Sequence, residues 1–277
     1  MKSFVKSPLN YVGGKFKLLP SICEHLPNTN INTVYDIFGG GYNVGINIDA
    51  SKHVYNDADG HVVGIIKKWH DTPLEELLSA IDSLVGKYQL SKTNQEGYLR
   101  IRDDYNKSPD KDAVMLYTII CHAFNYQIRF NSKGEYNMPF GKERSCFNDA
   151  LRKKFVEYVN KLQSQDTVFL NGSYSGIQQP TVGDFIYADP PYLNSVAAYN
   201  EKGGWTEKDE KELLGYLDGM DERGVKFMLS NNLKYNNSLL EEWMRKYKVI
   251  HIGSQYSNCN YHKKDKSEDD EILVVNY

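Results

Sequence analysis

Short runs rich in Val, Ile, Tyr and Phe recur along the chain at Thr33–Ile37, His53–Asn56, Thr167–Leu170, Asp184–Ala188, Val225–Ser230, Lys248–Ile252 and Ile272–Asn276. Such runs, bounded by turn-forming residues, read as seven strands. Between several of them lie helical patterns with start signals. Thr72-Pro73-Leu74-Glu75 offers an N-cap, a proline at the first helical position and an acid three residues after the cap, and Thr206 with Asp209 offers a second helix start. Strands alternating with helices constrain the chain to the α/β class. The expected architecture is a mostly parallel sheet covered on both faces, with ligands bound beyond the carboxyl ends of the strands.

The spacing is uneven, because more than a hundred residues separate the second run from the third. Leu74, Leu77, Leu78, Ile81 and Leu84 follow helical spacing, as do Val114, Tyr117, Thr118 and Cys121. The gap therefore predicts a mostly helical inserted domain, residues 61–155, within a core domain of residues 1–60 and 156–277. Near the end of the insert, Ile128–Phe130 and Glu135–Met138 flank Asn131-Ser132-Lys133-Gly134, a hairpin signal. The formal net charge is -3, yet residues 121–155 carry seven Lys/Arg against three acids, and Lys2, Lys6, Lys15 and Lys17 open the chain with no acid among them. The compensating acid includes Glu268-Asp269-Asp270-Glu271. Charge alone fits solvated faces as well as it fits a nucleic-acid surface. The longest apolar runs, such as Val114-Met115-Leu116, are too short to span a bilayer, and no apolar stretch follows the basic N-terminus. A cytoplasmic protein with no membrane partner is expected. Cys23, Cys121, Cys146 and Cys259 form no C-x-x-C pair and read as free packing thiols, and no metal site is expected.

Tyr35-Asp36-Ile37-Phe38-Gly39-Gly40-Gly41 ends a strand in glycines, which lets the backbone approach a ligand and turn into a helix whose N-terminal N–H groups face outward. Asn56-Asp57 closes the next strand, where a carboxylate can accept both hydroxyls of a ribose. A tight structural turn followed by an unrelated surface acid is the alternative. Asp189-Pro190-Pro191-Tyr192 follows another strand. An exocyclic amino group such as adenine N6 is a poor nucleophile because its lone pair is delocalised into the ring. Two acceptors set against its N–H bonds, the Asp189 carboxylate and the Pro190 carbonyl, would localise that pair, and Tyr192 offers a ring for the base to stack on. Such chemistry needs no covalent enzyme intermediate. The same tetrapeptide also serves as a strand end with a proline turn.

In these motifs the chain resembles the Dam-type DNA adenine-N6 methyltransferases, most closely their phage-encoded members. The matching pieces run in order through nearly the whole sequence: Pro8–Lys15, Asp36–Gly41, Asn56-Asp57, Phe124–Arg129, Pro139–Lys142, Asp189–Tyr192 and Glu271–Tyr277. That order is the alpha arrangement of amino-methyltransferases. It implies a Rossmann-like, S-adenosylmethionine-dependent methyltransferase fold, with the insert acting as target-recognition domain. The resemblance further implies that Tyr11, Gly14, Lys15, Asp36, Phe38, Gly39, Gly41, Asp57, Ser173, Tyr174 and Asp189 bind S-adenosyl-L-methionine, and that Asp189, Pro190 and Tyr192 are catalytic. Lys15, Phe124, Asn125, Gln127, Arg129, Asn131 and Pro139 would contact double-stranded DNA. Phe124 and Asn125 hold the family's wedge positions, Arg129 its guanine-reading position, and Pro139 the place of an apolar contact to a thymine methyl. GATC is the first-choice target. Two positions depart from the pattern: Gln127 stands where better-studied members carry Leu or Met, and Glu143 lies where others are more basic. A non-catalytic DNA-binding module and an enzyme acting on cytosine N4 or RNA stay open as alternatives. No obligate protein partner is evident.

Overall fold

The structure, a computed structural model, describes residues 3–195, 204–252 and 270–277. All seven runs form strands: β1 Thr33–Asp36, β2 Lys52–Asp57, β3 Thr167–Asn171, β4 Phe185–Ala188, β5 Lys226–Asn232, β6 Lys248–His251 and β7 Glu271–Val275. They make one sheet in the order β3-β2-β1-β4-β5-β7-β6. β1 pairs parallel with β2 and β4, and β4 with β5, whereas β7 is antiparallel to both β5 and β6. β4 and nearly all of β5 are buried, as strands covered on both faces must be. This mixed, mostly parallel sheet is consistent with an S-adenosylmethionine-dependent methyltransferase fold.

Packing divides the chain into two compact units, Met1–Phe16 with Gly40–Asn47 and Asp59–Asn171, and Lys17–Gly39 with Ile48–Ala58 and Gly172–Tyr277. The first holds α2 Gly60–Asp71, α3 Leu74–Tyr88, α4 Gln95–Lys107, α5 Ala113–His122, α6 Asp149–Gln163 and β3. Asp59, Asn94, Asp112 and Asn148 each cap the helix that follows by accepting a backbone N–H, which satisfies a donor the helix itself cannot pair. Because α5 is buried on nearly every side, it forms the centre against which α2, α3 and α4 pack. Trp69 of α2 is buried edge-on among Tyr117, Phe155 and Tyr158, with ring centroids 4.8, 5.2 and 5.8 Å away.

The start of α3 differs from its sequence signal by one residue. Pro73, extended at φ -50 and ψ 138, stands at the N-cap and no side chain caps there, while Thr72 closes α2 instead. The Pro73 carbonyl takes the N–H groups of Glu76 and Leu77 at 3.0 and 3.1 Å. An extended proline holds its own carbonyl for the first turn, so the hydroxyl one residue earlier is out of range. The expected hairpin is present but narrow. Phe130 bridges Tyr136, Asn131 N donates to the Glu135 carbonyl at 2.9 Å, and Asn137 N donates to that of Arg129 at 3.2 Å.

The second unit holds the other six strands with α1 Leu19–Glu24, α7 Glu207–Glu222 and α8 Ser238–Trp243. α7 opens with the expected reciprocal cap, Thr206 N to Asp209 Oδ2 at 2.9 Å and Asp209 N to Thr206 Oγ1 at 3.2 Å. Cys23, Cys121 and Cys146 are in no disulfide, and burial pushes the Cys121 thiol up to about 12. Lys2, Cys259, Glu268 and Asp269 lie outside the described residues. Among the described residues no helix is long and apolar enough to cross a membrane.

Candidate active site and hairpin

In the second unit three carboxylates end three neighbouring parallel strands. Asp36 closes β1, paired in register with Tyr55 of β2 and Tyr187 of β4, and Asp57 and Asp189 each follow those partners by two residues. One edge of the sheet thus carries a row of acids, with Asp36 buried and the other two half-buried. The buried Tyr187 hydroxyl registers the crowding: burial first, then the charges of Asp189 and Asp36, hold its pKa well above the ordinary value. An edge of this charge suits a cationic ligand.

One side chain ties the glycine motif, the Asn56-Asp57 pair and the Gly172 turn together. Asn56 Nδ2 donates to the carbonyls of Ile37 and Gly172, both at 3.1 Å, while Gly39 N donates to the Asn56 carbonyl at 2.8 Å. Gly172 N donates to the Asp57 carbonyl at 3.1 Å. Phe38 and Tyr174 are thereby brought to a ring separation of 5.3 Å. Ser173 beside them is exposed, and its hydroxyl accepts from Ser175 N, capping the short turn Tyr174–Gly176. Gly39 has a packing reason that the motif did not suggest, since a Cβ there would lie 2.2 Å from the Tyr55 ring. The expected helix after the glycines is absent. Tyr42 adopts a left-handed φ of 52°, which interrupts any right-handed helical run, and only the 3-10 turn Gly45–Asn47 follows.

Tyr11, Gly14, Lys15 and Gly41 form a group within the first unit. Gly14 N donates to the Tyr11 carbonyl at 3.3 Å, and the buried Lys15 places Nζ 3.0 Å from the Gly13 carbonyl. The Tyr11 ring covers the glycines so closely that a Cβ on Gly40 would meet it at 2.8 Å.

The Asp189-Pro190-Pro191-Tyr192 corner leaves the end of β4 in the second unit. The Tyr192 hydroxyl lies 3.3 Å from Asp189 Oδ1 and 3.2 Å from Glu271 Oε2, and Asn232 Nδ2 donates to Glu271 Oε1 at 3.2 Å. Burial, then the charges of Asp189 and Glu271, hold the Tyr192 phenol well above its ordinary range, so it stays protonated. The Tyr192 ring lies 5.7 Å from that of Tyr235.

The recognition candidates lie in the first unit. Phe124, 40% exposed, starts the short turn Phe124–Tyr126, in which Asn125 is left-handed at φ 53°. Asn10 Nδ2 fixes this turn through the Asn125 carbonyl at 2.8 Å, and Phe124 N donates to the Pro139 carbonyl at 2.8 Å. An exposed phenylalanine and an exposed proline are thus held side by side. Arg129 is exposed, with Nε donating to Asn137 Oδ1 at 2.9 Å. Asn131 has a turn-closing part: Oδ1 accepts from Lys133 N and Glu135 N at 2.9 and 3.0 Å, and Nδ2 donates to Glu135 Oε2 at 2.8 Å. The Gln127 carbonyl receives the Tyr136 hydroxyl at 2.7 Å. Tyr98 and Arg102 of α4 both donate to the Met138 carbonyl, at 2.7 and 3.0 Å, which anchors the hairpin to helical structure.

His122, at the end of α5 just before the turn, is buried with Nδ1 2.9 Å from the Thr118 carbonyl. Burial holds its pKa below 6.5, partly offset by that hydrogen bond. Because the unfolded chain binds this proton more readily, the stability contribution is full above about pH 6.5 and is lost as pH falls through that value towards the folded pKa. Urea unfolding near pH 7.5 and near pH 5.5 is expected to show an acid-side loss in the native protein that shrinks in His122→Gln. Equal losses in the two proteins would refute the assignment.

The sequence pattern of D12 class N6 adenine-specific DNA methyltransferases matches residues 11–258. The chain belongs to this family. Type II methyltransferase M.FokI of Planomicrobium okeanokoites is 41% identical over 99% of this chain, and modification methylase StsI of Streptococcus sanguinis is 37% identical over 100%. The match covers only 43% of each of those two relatives, so the chain spans less than half their length. DNA adenine methylase of Escherichia coli (strain K12) is 26% identical over 96% of this chain and 94% of its own. Three residues that the sequence reading gave no role of their own, one of them Glu271 within the family-like Glu271–Tyr277 segment, join these groups. Glu271 adjoins Tyr192 and is held by Asn232, and Trp205 meets Phe38 edge-on at 5.6 Å with its Nε1 donating to the buried Glu210. Asn237 Nδ2 completes that anchor at 2.7 Å from Glu210 Oε1.

Proposed function

We propose that this chain transfers a methyl group from S-adenosyl-L-methionine to adenine N6 in duplex DNA, acting on a base flipped out of the helix, with GATC as target. The observation that carries the reading is the row of Asp36, Asp57 and Asp189 at the ends of neighbouring strands, with the Tyr192 hydroxyl 3.3 Å from Asp189. An acidic edge next to the Phe38–Tyr174 ring pair matches a ligand that has a sulfonium cation, a ribose diol and a purine. When bound, that cofactor supplies an electrophilic methyl group. Asp57 takes the ribose hydroxyls, Phe38 and Tyr174 contact the purine, and Asp36 faces the cationic part. Gly39 and Ser173 belong to the same loops, while Tyr11, Gly14, Lys15 and Gly41 are assigned to the cofactor on the family resemblance.

Asp189 and the Pro190 carbonyl accept the two N6–H bonds and so localise the nitrogen lone pair for direct displacement. Tyr192 stacks on the extruded adenine. Residues 61–155 act as the recognition domain, in which Phe124 and Asn125 enter the duplex, Arg129 reads guanine, Pro139 meets a thymine methyl, and Gln127, Asn131 and Lys15 add polar contacts. Names among the relatives include both modification methylases and DNA adenine methylases, so either cellular role fits the chemistry.

The test uses the purified chain, plasmid DNA and labelled S-adenosyl-L-methionine. N6-methyladenine by nucleoside mass spectrometry, mapped to GATC, is the expected result. N4-methylcytosine as the product, or no transfer by a chain that binds the plasmid, would overturn the reading, and adenine methylation at another sequence would overturn the target alone.

A further inference from the structure

Glu271 is the first residue of β7, which runs antiparallel to both of its neighbours, β5 and β6. The parallel strands β1, β4 and β5 end at the edge that carries Asp36 and Asp189, whereas β7 begins there, with Glu271 paired in register to Asn232 at the end of β5. An acid at the start of an antiparallel strand is thus delivered to the catalytic edge. Asn232 is buried, and its Nδ2 donates to Glu271 Oε1, which turns Oε2 towards Tyr192.

The Tyr192 hydroxyl stands between two carboxylates, 3.3 Å from Asp189 and 3.2 Å from Glu271, and a phenol has one proton to donate. If it donates to Asp189, it occupies an acceptor position and draws charge from the carboxylate that must polarise the adenine amino group. If it donates to Glu271, Asp189 keeps its accepting capacity. We propose that Glu271 is a positioning residue that draws the Tyr192 proton to itself and so keeps Asp189 an acceptor for the N6–H bond. Burial and the two carboxylates hold the Tyr192 phenol towards its protonated form, which has a proton to give. The proposal rests on the reading of Asp189 as the acceptor for adenine N6.

Glu271→Gln tests it with little change of shape. A glutamine keeps its oxygen towards Asn232 Nδ2 and so presents its amide N–H groups to Tyr192, which must then accept from them and donate to Asp189. The expected loss in single-turnover methyl transfer is about 10- to 100-fold, the scale of one hydrogen bond to a charged group, with S-adenosyl-L-homocysteine affinity unchanged. In a Tyr192→Phe background, whatever rate that variant sets, Glu271→Gln costs nothing further. Glu271→Asp, which withdraws the carboxylate by one methylene, shows a smaller loss that is likewise absent in the Tyr192→Phe background. A Glu271→Gln protein as fast as the native one, or one whose loss persists undiminished with Tyr192→Phe, overturns the proposal. Native enzyme that methylates adenine while Asp189→Ala does so equally well overturns the underlying reading of Asp189 instead.

Discussion

Asp189→Ala is expected to lower methyl transfer to DNA by about a thousandfold, the cost of removing a preorganised polar group from the reacting centre. The carboxylate stands at the end of β4, half-buried, and Tyr192 lies 3.3 Å from it. Its removal leaves the amino lone pair delocalised into the purine ring. Single-turnover transfer of labelled methyl measures the effect, with thermal unfolding and S-adenosyl-L-homocysteine binding as controls. Asp189→Asn keeps an oxygen acceptor but loses the charge, so its rate should fall between native and Ala. Substantial transfer by a folded, cofactor-binding Asp189→Ala protein would exclude direct polarisation by this residue.

Arg129→Ala should erase discrimination at one guanine of the target while leaving catalysis on already favoured DNA reduced but measurable. A guanidinium bound bidentate to guanine O6 and N7 supplies about 1–3 kcal/mol of discrimination against the wrong base, roughly 10- to 100-fold in kcat/KM. Asn137 holds Nε of Arg129 at 2.9 Å, so the side chain is oriented before DNA arrives and little rotamer entropy is lost on binding. The comparison is between duplexes containing GATC and AATC: the native chain prefers the first, and Arg129→Ala treats them alike. If the preference survives, guanine is read by another residue. A uniform loss on both duplexes with the preference intact would make Arg129 a phosphate contact.

Much of this molecule was legible before its fold was known. The strands announced themselves because each is a short run rich in Val, Ile, Tyr and Phe bounded by turn residues, and for β4 and β5 burial on both faces demands that composition. The places of Asp36, Asp57 and Asp189 were legible because each acid directly closes or follows a short apolar run that reads as a strand. The Thr206–Asp209 cap was legible too, since both halves of the reciprocal bond lie within one helical turn.

Other features were misread where a local signal had more than one outcome. Thr72 and Pro73 both qualify as helix starts, and the extended backbone of Pro73 decided between them. The glycines after Phe38 suggested a helix, but the left-handed Tyr42 left only a short turn. Gly39, read as a place for close ligand approach, also has a packing need that no local signal carries, because a Cβ there would strike the Tyr55 ring.

By itself, then, the sequence determined the α/β class, the family and the acids at the ends of parallel strands, because these depend on contacts and periodicities a few residues long. Only the tertiary structure decided that Glu271 stands opposite Asn232 beside Tyr192, and that Trp205 meets Phe38. The first pair is 39 residues apart in the chain and joined by the reversed direction of β7. Strand direction and register arise from the packing of the whole sheet, and no short stretch of sequence encodes them.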